Sequence, residues 1–256
     1  VVSAGGKLFY IIDEGPAASI LLPPKWALVA RDAFSGVVLW RRTIPYWEDH
    51  LRGFRSGPPE LSRTLVATAQ RVYVTLGQRA HVTAVDPATG ETVQEYAETG
   101  GTEEILYHDG SLVLTTLSGE RAAVQRVDAS SGRRLWTSAK TYGGTTTDYY
   151  RFSAARGSVQ PAKVDPTLNI ATDGDAVVLL DGDSVVCVDG DTGHERWRSQ
   201  FPLADSDHEA GRIAARNKLW VGTLIINDGV VLHASPNNLA AFSTESGEVL
   251  WQQPKR

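Results

Sequence analysis

Five times along this chain a short apolar run ends at an Asp or Ser, a Gly follows four residues later, and a Trp usually follows four residues after that. The copies are Asp32, Gly36 and Trp40; Asp86, Gly90 and Gln94; Asp128, Gly132 and Trp136; Asp189, Gly193 and Trp197; and Ser243, Gly247 and Trp251. A recurring unit too small to bury its own apolar face has to stack on its neighbours. The repeat therefore constrains the architecture more than any single residue does.

The runs that precede the turns are Ala27 to Arg31, Val82 to Val85, Ala122 to Val127, Val185 to Val188 and Leu239 to Phe242, which suit buried strands. At the turn an Asp side chain accepts backbone N–H groups two residues on, and the Gly supplies a positive φ. Upstream of each copy lies a second turn signal: Gly5 with Gly6, Asp109 with Gly110, Asp173 with Gly174 and Asp228 with Gly229, with Ala69 and Gln70 in the second copy. Strands are predicted to leave these turns at Leu8 to Ile12, Val72 to Leu76, Leu112 to Leu117, Ala176 to Leu180 and Val230 to Ala234. Each unit thus reads as four short antiparallel strands, and such units arranged radially make an all-β β-propeller. The spacing is uneven because insertions fall near residues 13–26, 43–64, 141–168 and 201–219. Insertions in repeat proteins map to loops, where function usually sits.

The recurrent Trp residues have a structural explanation. An indole near the end of an outer strand covers the seam to the adjacent blade, and the Gly before it leaves room for the ring. Burial removes roughly 200 Å² from water, on the order of 5 kcal/mol. On this reading Trp40, Trp136, Trp197 and Trp251 are all buried. Gln94 breaks the pattern, so the seam of the second unit is the least tightly closed, or nearby Tyr96 substitutes.

Composition excludes several classes. There are 25 Lys and Arg against 30 Asp and Glu, a net charge of −5, without the clustered basic face that nucleic acid requires. No apolar run approaches the length of a membrane-crossing helix. Cys187 is the only cysteine, so no internal disulfide forms, and its position in an apolar strand marks it as a buried, unreactive thiol. A Gly-rich phosphate loop, a dinucleotide fingerprint, a nucleophile elbow, paired zinc cysteines and metalloprotease-spaced His are all missing from the sequence.

Three insertions hold chemistry worth weighing. The first combines Trp47, Glu48, Asp49, His50, Arg52 and Arg55, where a stacking face and directional charges suit an anionic or sugar ligand, against the alternative of a solvated loop. The second groups Asp205, Asp207, His208 and Glu209, donors suited to a divalent ion, but without the Gly spacing of a calcium loop, so it reads as an acidic surface. The third, Thr141 to Asn169, contains Tyr149, Tyr150, Arg151 and Phe152, residue types enriched at partner interfaces, and is long for a loop. Trp47, His50, Arg52, Tyr149, Tyr150 and Arg151 are the candidate partner surface. No catalytic, cofactor-binding or metal-ligating residue is singled out.

The spacing Ala-x-Asp-x-x-Thr/Ser-Gly-x-x-x-Trp resembles the docking motif of the pyrroloquinoline quinone-like (PQQ-like) β-propeller family. It stands here as Ala30, Asp32, Ser35, Gly36 and Trp40, and again with Thr192, Gly193 and Trp197. Departures are Arg126 and Cys187 at the Ala position, Gln94 at Trp and Ser243 at Asp. The resemblance implies one PQQ-like propeller domain over residues 1–256, with units at about 1–45, 65–98, 102–140, 169–202 and 220–256. The units make either a closed five-bladed ring or an arc of a seven- to eight-bladed one. The absence of Met and the end soon after Trp251 favour the arc, a part of a larger protein. The family includes quinone-dependent dehydrogenases, with calcium and PQQ, and non-catalytic scaffolds of outer-membrane assembly. The resemblance implies a non-catalytic binding or scaffolding module of the bacterial periplasm or exterior. Its partners would be another protein or other domains of the same polypeptide, met through the inserted loops. The alternatives are a PQQ-dependent dehydrogenase, whose full cofactor site is not evident, and a carbohydrate-binding or lyase propeller.

Overall fold

The computed structural model describes residues 1–16, 22–45, 47, 63–119, 121–143, 148–153, 158–163, 168–201, 222–235 and 238–254. Five four-stranded antiparallel sheets account for nearly all of it. The first blade is β1 (Val2–Ala4), β2 (Lys7–Asp13), β3 (Trp26–Asp32) and β4 (Val38–Thr43). The second is β5 (Leu65–Ala67), β6 (Val72–Thr75), β7 (Val82–Val85) and β8 (Thr92–Tyr96), and a short 3-10 turn at Ala97–Thr99 follows it. The third is β9 (Thr102–His108), β10 (Ser111–Ser118), β11 (Arg121–Asp128) and β12 (Arg134–Thr137). A two-stranded sheet, β13 (Asp148–Ser153) with β14 (Ser158–Lys163), separates it from the fourth blade. That blade is β15 (Ala171–Thr172), β16 (Ala176–Asp181), β17 (Ser184–Asp189) and β18 (Glu195–Gln200). The fifth is β19 (Thr223–Asn227), β20 (Val230–Ala234), β21 (Asn238–Ser243) and β22 (Val249–Pro254). Within each blade the strands follow chain order across the sheet, so every connection is a hairpin.

The turns form by the chemistry expected of them. Asp32 Oδ1 accepts the N–H groups of Phe34 at 3.1 Å and Ser35 at 2.7 Å, and the Ser35 hydroxyl at 2.8 Å. The loop closes when the Gly36 N–H donates to the Asp32 carbonyl at 3.0 Å with Gly36 at φ 72°. Gly90, Gly132, Gly193 and Gly247 repeat that bond and that conformation. Each blade also has a register shift at the residue two before the Asp or Ser: Ala30, Ala84, Arg126, Cys187 and Ala241. Such bulges sharpen the local twist and re-aim the outer strand. In the upstream hairpins Asp109 and Asp228 take positive φ together with the Gly that follows, as a primed turn demands. Where the second blade has Ala69 and Gln70 instead, the Thr68 hydroxyl accepts the Arg71 N–H at 3.0 Å and holds the bend.

Close contacts divide the chain into two compact units. One is Val1–Ile105 with Tyr150–Pro161, and the other is Leu106–Tyr149 with Ala162–Arg256. In the first unit the core lies between the first and second blades: Phe9, Leu28 and Ala30 meet Leu65, Val72, Val74 and Val85. In the second unit the fourth blade is buried on both faces. Val177, Leu179, Val186 and Val188 pack toward the third blade with Val113, Val124 and Trp136. The alternate residues Val178, Leu180, Val185 and Cys187 pack toward the fifth with Val231, Ala240 and Phe242. Two-sided burial is why those strands read as unbroken apolar runs rather than alternating ones.

Two expectations need correction. The stretch from 141 to 168 is not simply a loop. It contains β13 and β14, where Tyr149, Tyr150 and Phe152 favour extended backbone. Its ends are core: Tyr142 bridges to Ala122 and is 1% exposed, as is Leu168. The repeat tryptophans are the second. All four were expected to be buried, but only Trp136 is: Trp40 and Trp197 are partly buried at their seams and Trp251 is 45% exposed.

Candidate functional site

The repeat motif builds a lock between successive blades. Trp40 on β4 donates its Nε1–H to the Pro87 carbonyl at 3.0 Å. Trp136 on β12 donates to Gly190 at 2.7 Å, and Trp197 on β18 to Thr244 at 2.7 Å. In each case the acceptor is the residue immediately after the Asp or Ser of the next repeat. The glycine that admits the ring also belongs to the next repeat and not, as the sequence suggested, to the Trp's own. A Cβ on Gly90 would stand 2.7 Å from the Trp40 ring, one on Gly193 2.6 Å from Trp136, and one on Gly247 2.5 Å from Trp197. The two halves of the motif are thus complementary parts of an intermolecular-style contact repeated along one chain. One half is a ring with a donor; the other is a Gly-floored turn with an acceptor.

The departures from the motif are accommodated at the same seams. Arg126 stands where the motif has Ala, and its guanidinium donates to the Gly190 carbonyl at 2.7 Å and to Gly174 at 3.3 Å, reinforcing the Trp136 lock. Cys187 sits at the equivalent position with no exposure, and burial pushes its thiol up to about 11. Sequence reasoning missed Arg42, which donates to the Gly90 carbonyl at 3.1 Å and the Thr92 hydroxyl at 2.8 Å. It also missed Ser199, whose hydroxyl donates to the Gly247 carbonyl. Both lie two residues past the Trp, on the same face of the outer strand, and that period-two offset is the signal that could have found them. Tyr96, proposed as a stand-in for the missing Trp, is 2% exposed and packs edge-on against Tyr73 of its own blade at 6.2 Å between ring centres.

The turn carboxylates are committed to structure. The Ser35 N–H holds Asp32 below the usual carboxylate range, and the Ala88 N–H does the same for Asp86. The Ser130 and Ser131 hydroxyls depress Asp128 strongly. At Asp189 the Thr192 hydroxyl leads, followed by the Arg196 guanidinium, which reaches Oδ2 at 2.7 Å. Burial, followed by the charge of Glu195, raises the Tyr142 hydroxyl to about 12. Beside it, Asp181 accepts the Gly143 N–H at 2.8 Å and Arg198 at 2.9 Å, tying the third blade's end to the fourth.

Of the candidate partner surface, Trp47 is 6% exposed and packs in the first unit's core with Phe9, Trp26 and Leu28. That burial corrects the expectation of an available stacking face. Tyr149, Tyr150 and Arg151 lie on β13. His50 and Arg52, and the acidic group Asp205, Asp207, His208 and Glu209, fall outside the described residues. Among the described residues no three His, Cys, Asp or Glu side chains gather as a metal-holding group. The carboxylate set that would hold calcium with PQQ is not assembled among those residues. No helix among the described residues is long and apolar enough to cross a membrane.

Five four-stranded blades, with ring-and-turn locks between first and second, third and fourth, and fourth and fifth, are the blades of a β-propeller of PQQ-like repeats. The profile of the family described as outer membrane protein assembly factor BamB matches residues 25–256, and the chain belongs to that family. It is 25% identical over 236 residues to the outer membrane protein assembly factor BamB of Moranella endobia (strain PCIT), covering 91% of this chain and 54% of the relative. The chain thus spans about half the length of the curated relative it matches. Among solved structures it is similar to a europium-containing methanol dehydrogenase, with a TM-score of 0.53 and 14% identity over 98% of this chain and 49% of the other. It is also similar to the quinohemoprotein alcohol dehydrogenase from Comamonas testosteroni, with a TM-score of 0.51 and 13% identity over 98% and 45%. At that identity these likenesses establish the shared propeller fold alone.

Proposed function

We propose that this chain is a non-catalytic binding module of an outer-membrane protein assembly factor, working in the bacterial periplasm by holding protein partners. The observation that carries this reading is the family match across residues 25–256. The residue chemistry supports it. The motif's Asp carboxylates are engaged in their own turns and the indoles of Trp40, Trp136 and Trp197 in contacts to the next blade, so the repeat contributes structure rather than a reactive group. Blades locked to their neighbours within each unit suit a scaffold that presents loops to partners. The segment carrying Tyr149, Tyr150 and Arg151 is the proposed contact element, since Tyr and Arg give large contact area with directional hydrogen bonds.

The test has two arms. In the source bacterium, deletion of the gene lowers the amount of folded outer-membrane β-barrel proteins, and a copy with Tyr149→Ala, Tyr150→Ala and Arg151→Ala restores them poorly while accumulating normally. In vitro, the purified protein incubated with PQQ and calcium shows no stoichiometric chromophore. Unchanged β-barrel levels on deletion, or a stoichiometric quinone adduct with dye-linked dehydrogenase activity, overturns the proposal.

A further inference from the structure

We propose that two hairpin tips, Asp109–Gly110 in the third blade and Asp228–Gly229 in the fifth, are sites of covalent self-modification in which aspartate becomes isoaspartate. The sequence holds five Asp-Gly pairs, beginning at Asp109, Asp173, Asp181, Asp189 and Asp228. A glycine after an aspartate has no Cβ to shield its amide nitrogen from the aspartate side chain. In the first step the Gly nitrogen bonds to Asp Cγ, and its proton leaves with the carboxyl hydroxyl as water, giving a cyclic imide. Water then adds to the main-chain carbonyl carbon of the imide, and the C–N bond there breaks. The chain now runs through Cβ and Cγ, one methylene longer, and the former main-chain carbonyl is a free carboxylate. The water lost in the first step is regained in the second, so no oxidant, reductant or second reactant is needed.

The structure separates the five pairs. Asp173 Oδ1 accepts the Ala176 N–H at 3.0 Å, and the Gly174 N–H donates to the Thr172 hydroxyl at 3.0 Å. Asp181 accepts the Gly143 N–H at 2.8 Å and the Arg198 guanidinium at 2.9 Å. Asp189 accepts the Thr192 N–H at 2.8 Å and Arg196 at 2.7 Å, while the buried Gly190 donates its N–H to the Asp175 carbonyl at 2.8 Å. Ring closure at these three has to break such bonds first. The other two pairs are exposed tips, with Asp109 at φ 39° and Asp228 at φ 48°. Nothing described lies within 4 Å of a Cβ built on Gly110 or Gly229. The Asp109 side chain is 92% exposed and meets His108 Nε2 at 3.6 Å. Neither carboxylate accepts a hydrogen bond from a described residue.

The product has a structural consequence at one of the two tips. The Gly229 carbonyl accepts the Thr244 N–H at 2.9 Å, as the Gly110 carbonyl accepts that of Ala129 at 2.8 Å. Thr244 is also the residue whose carbonyl receives the Trp197 indole. An added methylene moves the Gly229 carbonyl off Thr244, so isoaspartate at Asp228 loosens the lock between the fourth and fifth blades. Ala129 holds the corresponding place in its own turn, but the preceding repeat has Gln94 where the others have Trp. Isoaspartate at Asp109 therefore leaves the three indole locks intact.

The test ages the purified 256-residue chain at mildly acidic pH, both native and in urea, and maps isoaspartate peptide by peptide. In the native protein the converted fraction at Asp109 and at Asp228 exceeds that at Asp173, Asp181 and Asp189 by at least about tenfold. In urea the five agree to within about threefold. Five similar native fractions, or a native pattern led by one of the three held pairs, overturns the proposal. The native ranking persisting in urea overturns it as well, since flanking sequence and not the fold would then select the sites. Asp228→Glu, whose longer side chain closes a ring far more slowly, converts at Asp109 alone. Exchange of the Trp197 indole N–H, followed by NMR, becomes at least about threefold faster in the aged native chain and does not change in the aged Asp228→Glu variant. Isoaspartate at Asp228 with an unaltered Trp197 exchange rate overturns the coupling to the lock.

Discussion

The Trp136 indole in the third blade donates to the Gly190 carbonyl in the fourth at 2.7 Å, while its ring occupies the space a Cβ on Gly193 would need. One side chain thus satisfies a buried donor, covers an apolar seam and reads the residue type of the neighbouring turn. These three effects separate by substitution. Trp136→Phe keeps a smaller ring and removes the donor, leaving the buried Gly190 carbonyl with the Arg126 guanidinium alone. It is expected to cost about 1–3 kcal/mol. Trp136→Ala also removes the ring and is expected to cost about 3–5 kcal/mol. Urea unfolding of the two variants checks both numbers; equal losses would mean the ring contributes nothing beyond the hydrogen bond, and an unchanged Trp136→Phe would mean the hydrogen bond contributes nothing measurable.

The glycine side of the lock gives a paired prediction. Gly193 and Gly36 share a left-handed backbone, φ 73° and 72°, but among the described residues a ring lies over Gly193 and none over Gly36. Gly36→Ala carries the backbone strain alone, about 1–2 kcal/mol. Gly193→Ala adds overpacking against Trp136 and exceeds it by at least about 1 kcal/mol. Unfolding midpoints of the two variants measure the difference directly; a cost for Gly36→Ala matching that of Gly193→Ala would show that space under the ring is irrelevant.

The strands and turns of the repeat were legible because their signals are local. Val82–Val85 and Val230–Ala234 fall where the apolar runs place them. The Gly at each motif turn takes the positive φ its position implies. What the motif's glycine is for was not legible. A glycine four residues before a Trp looks like its companion, yet the ring it admits comes from the preceding blade, and only the stacking of sheets reveals that. Trp47 was misread for a related reason. Its charged neighbours suggested a surface, but a large aromatic buries wherever the core can reach it, and Phe9, Trp26 and Leu28 do. Arg126 looked like a flaw in the pattern, and it proves to be a second donor at the seam.

Acid sensitivity follows from the turn carboxylates. Hydroxyl and N–H donors hold Asp128 and Asp189 well below their unfolded value of about 3.9. A lowered folded-state pKa contributes stability that is present above the unfolded pKa and is lost as pH falls below it toward the folded value. Urea midpoints are therefore expected to be flat from neutral pH down to about 5 and to fall steeply below about 4. Asp189→Asn keeps an acceptor for the Thr192 N–H but cannot titrate, so its midpoint starts lower at neutral pH and falls less on acidification. A parallel fall in both proteins would place the acid sensitivity elsewhere.

Trimming the third insertion separates core from appendage. Tyr142 and Leu168 are each 1% exposed and pack with Val177 and Val186, whereas β13 and β14 form a sheet of their own. Replacing residues 144–167 with a short Gly-Ser linker is expected to leave the blades folded, because chain ends joined by a flexible loop lose little from a change in its length. Removing 141–169 takes Tyr142, Leu168 and the Leu168 carbonyl that accepts the Leu180 N–H, and is expected to cost at least about 3 kcal/mol. Cooperative unfolding followed by tryptophan fluorescence distinguishes the two deletions. If the shorter one abolished the transition, β13 and β14 would belong to the folding core after all, and a contact role for Tyr149, Tyr150 and Arg151 would have to be tested by point substitution alone.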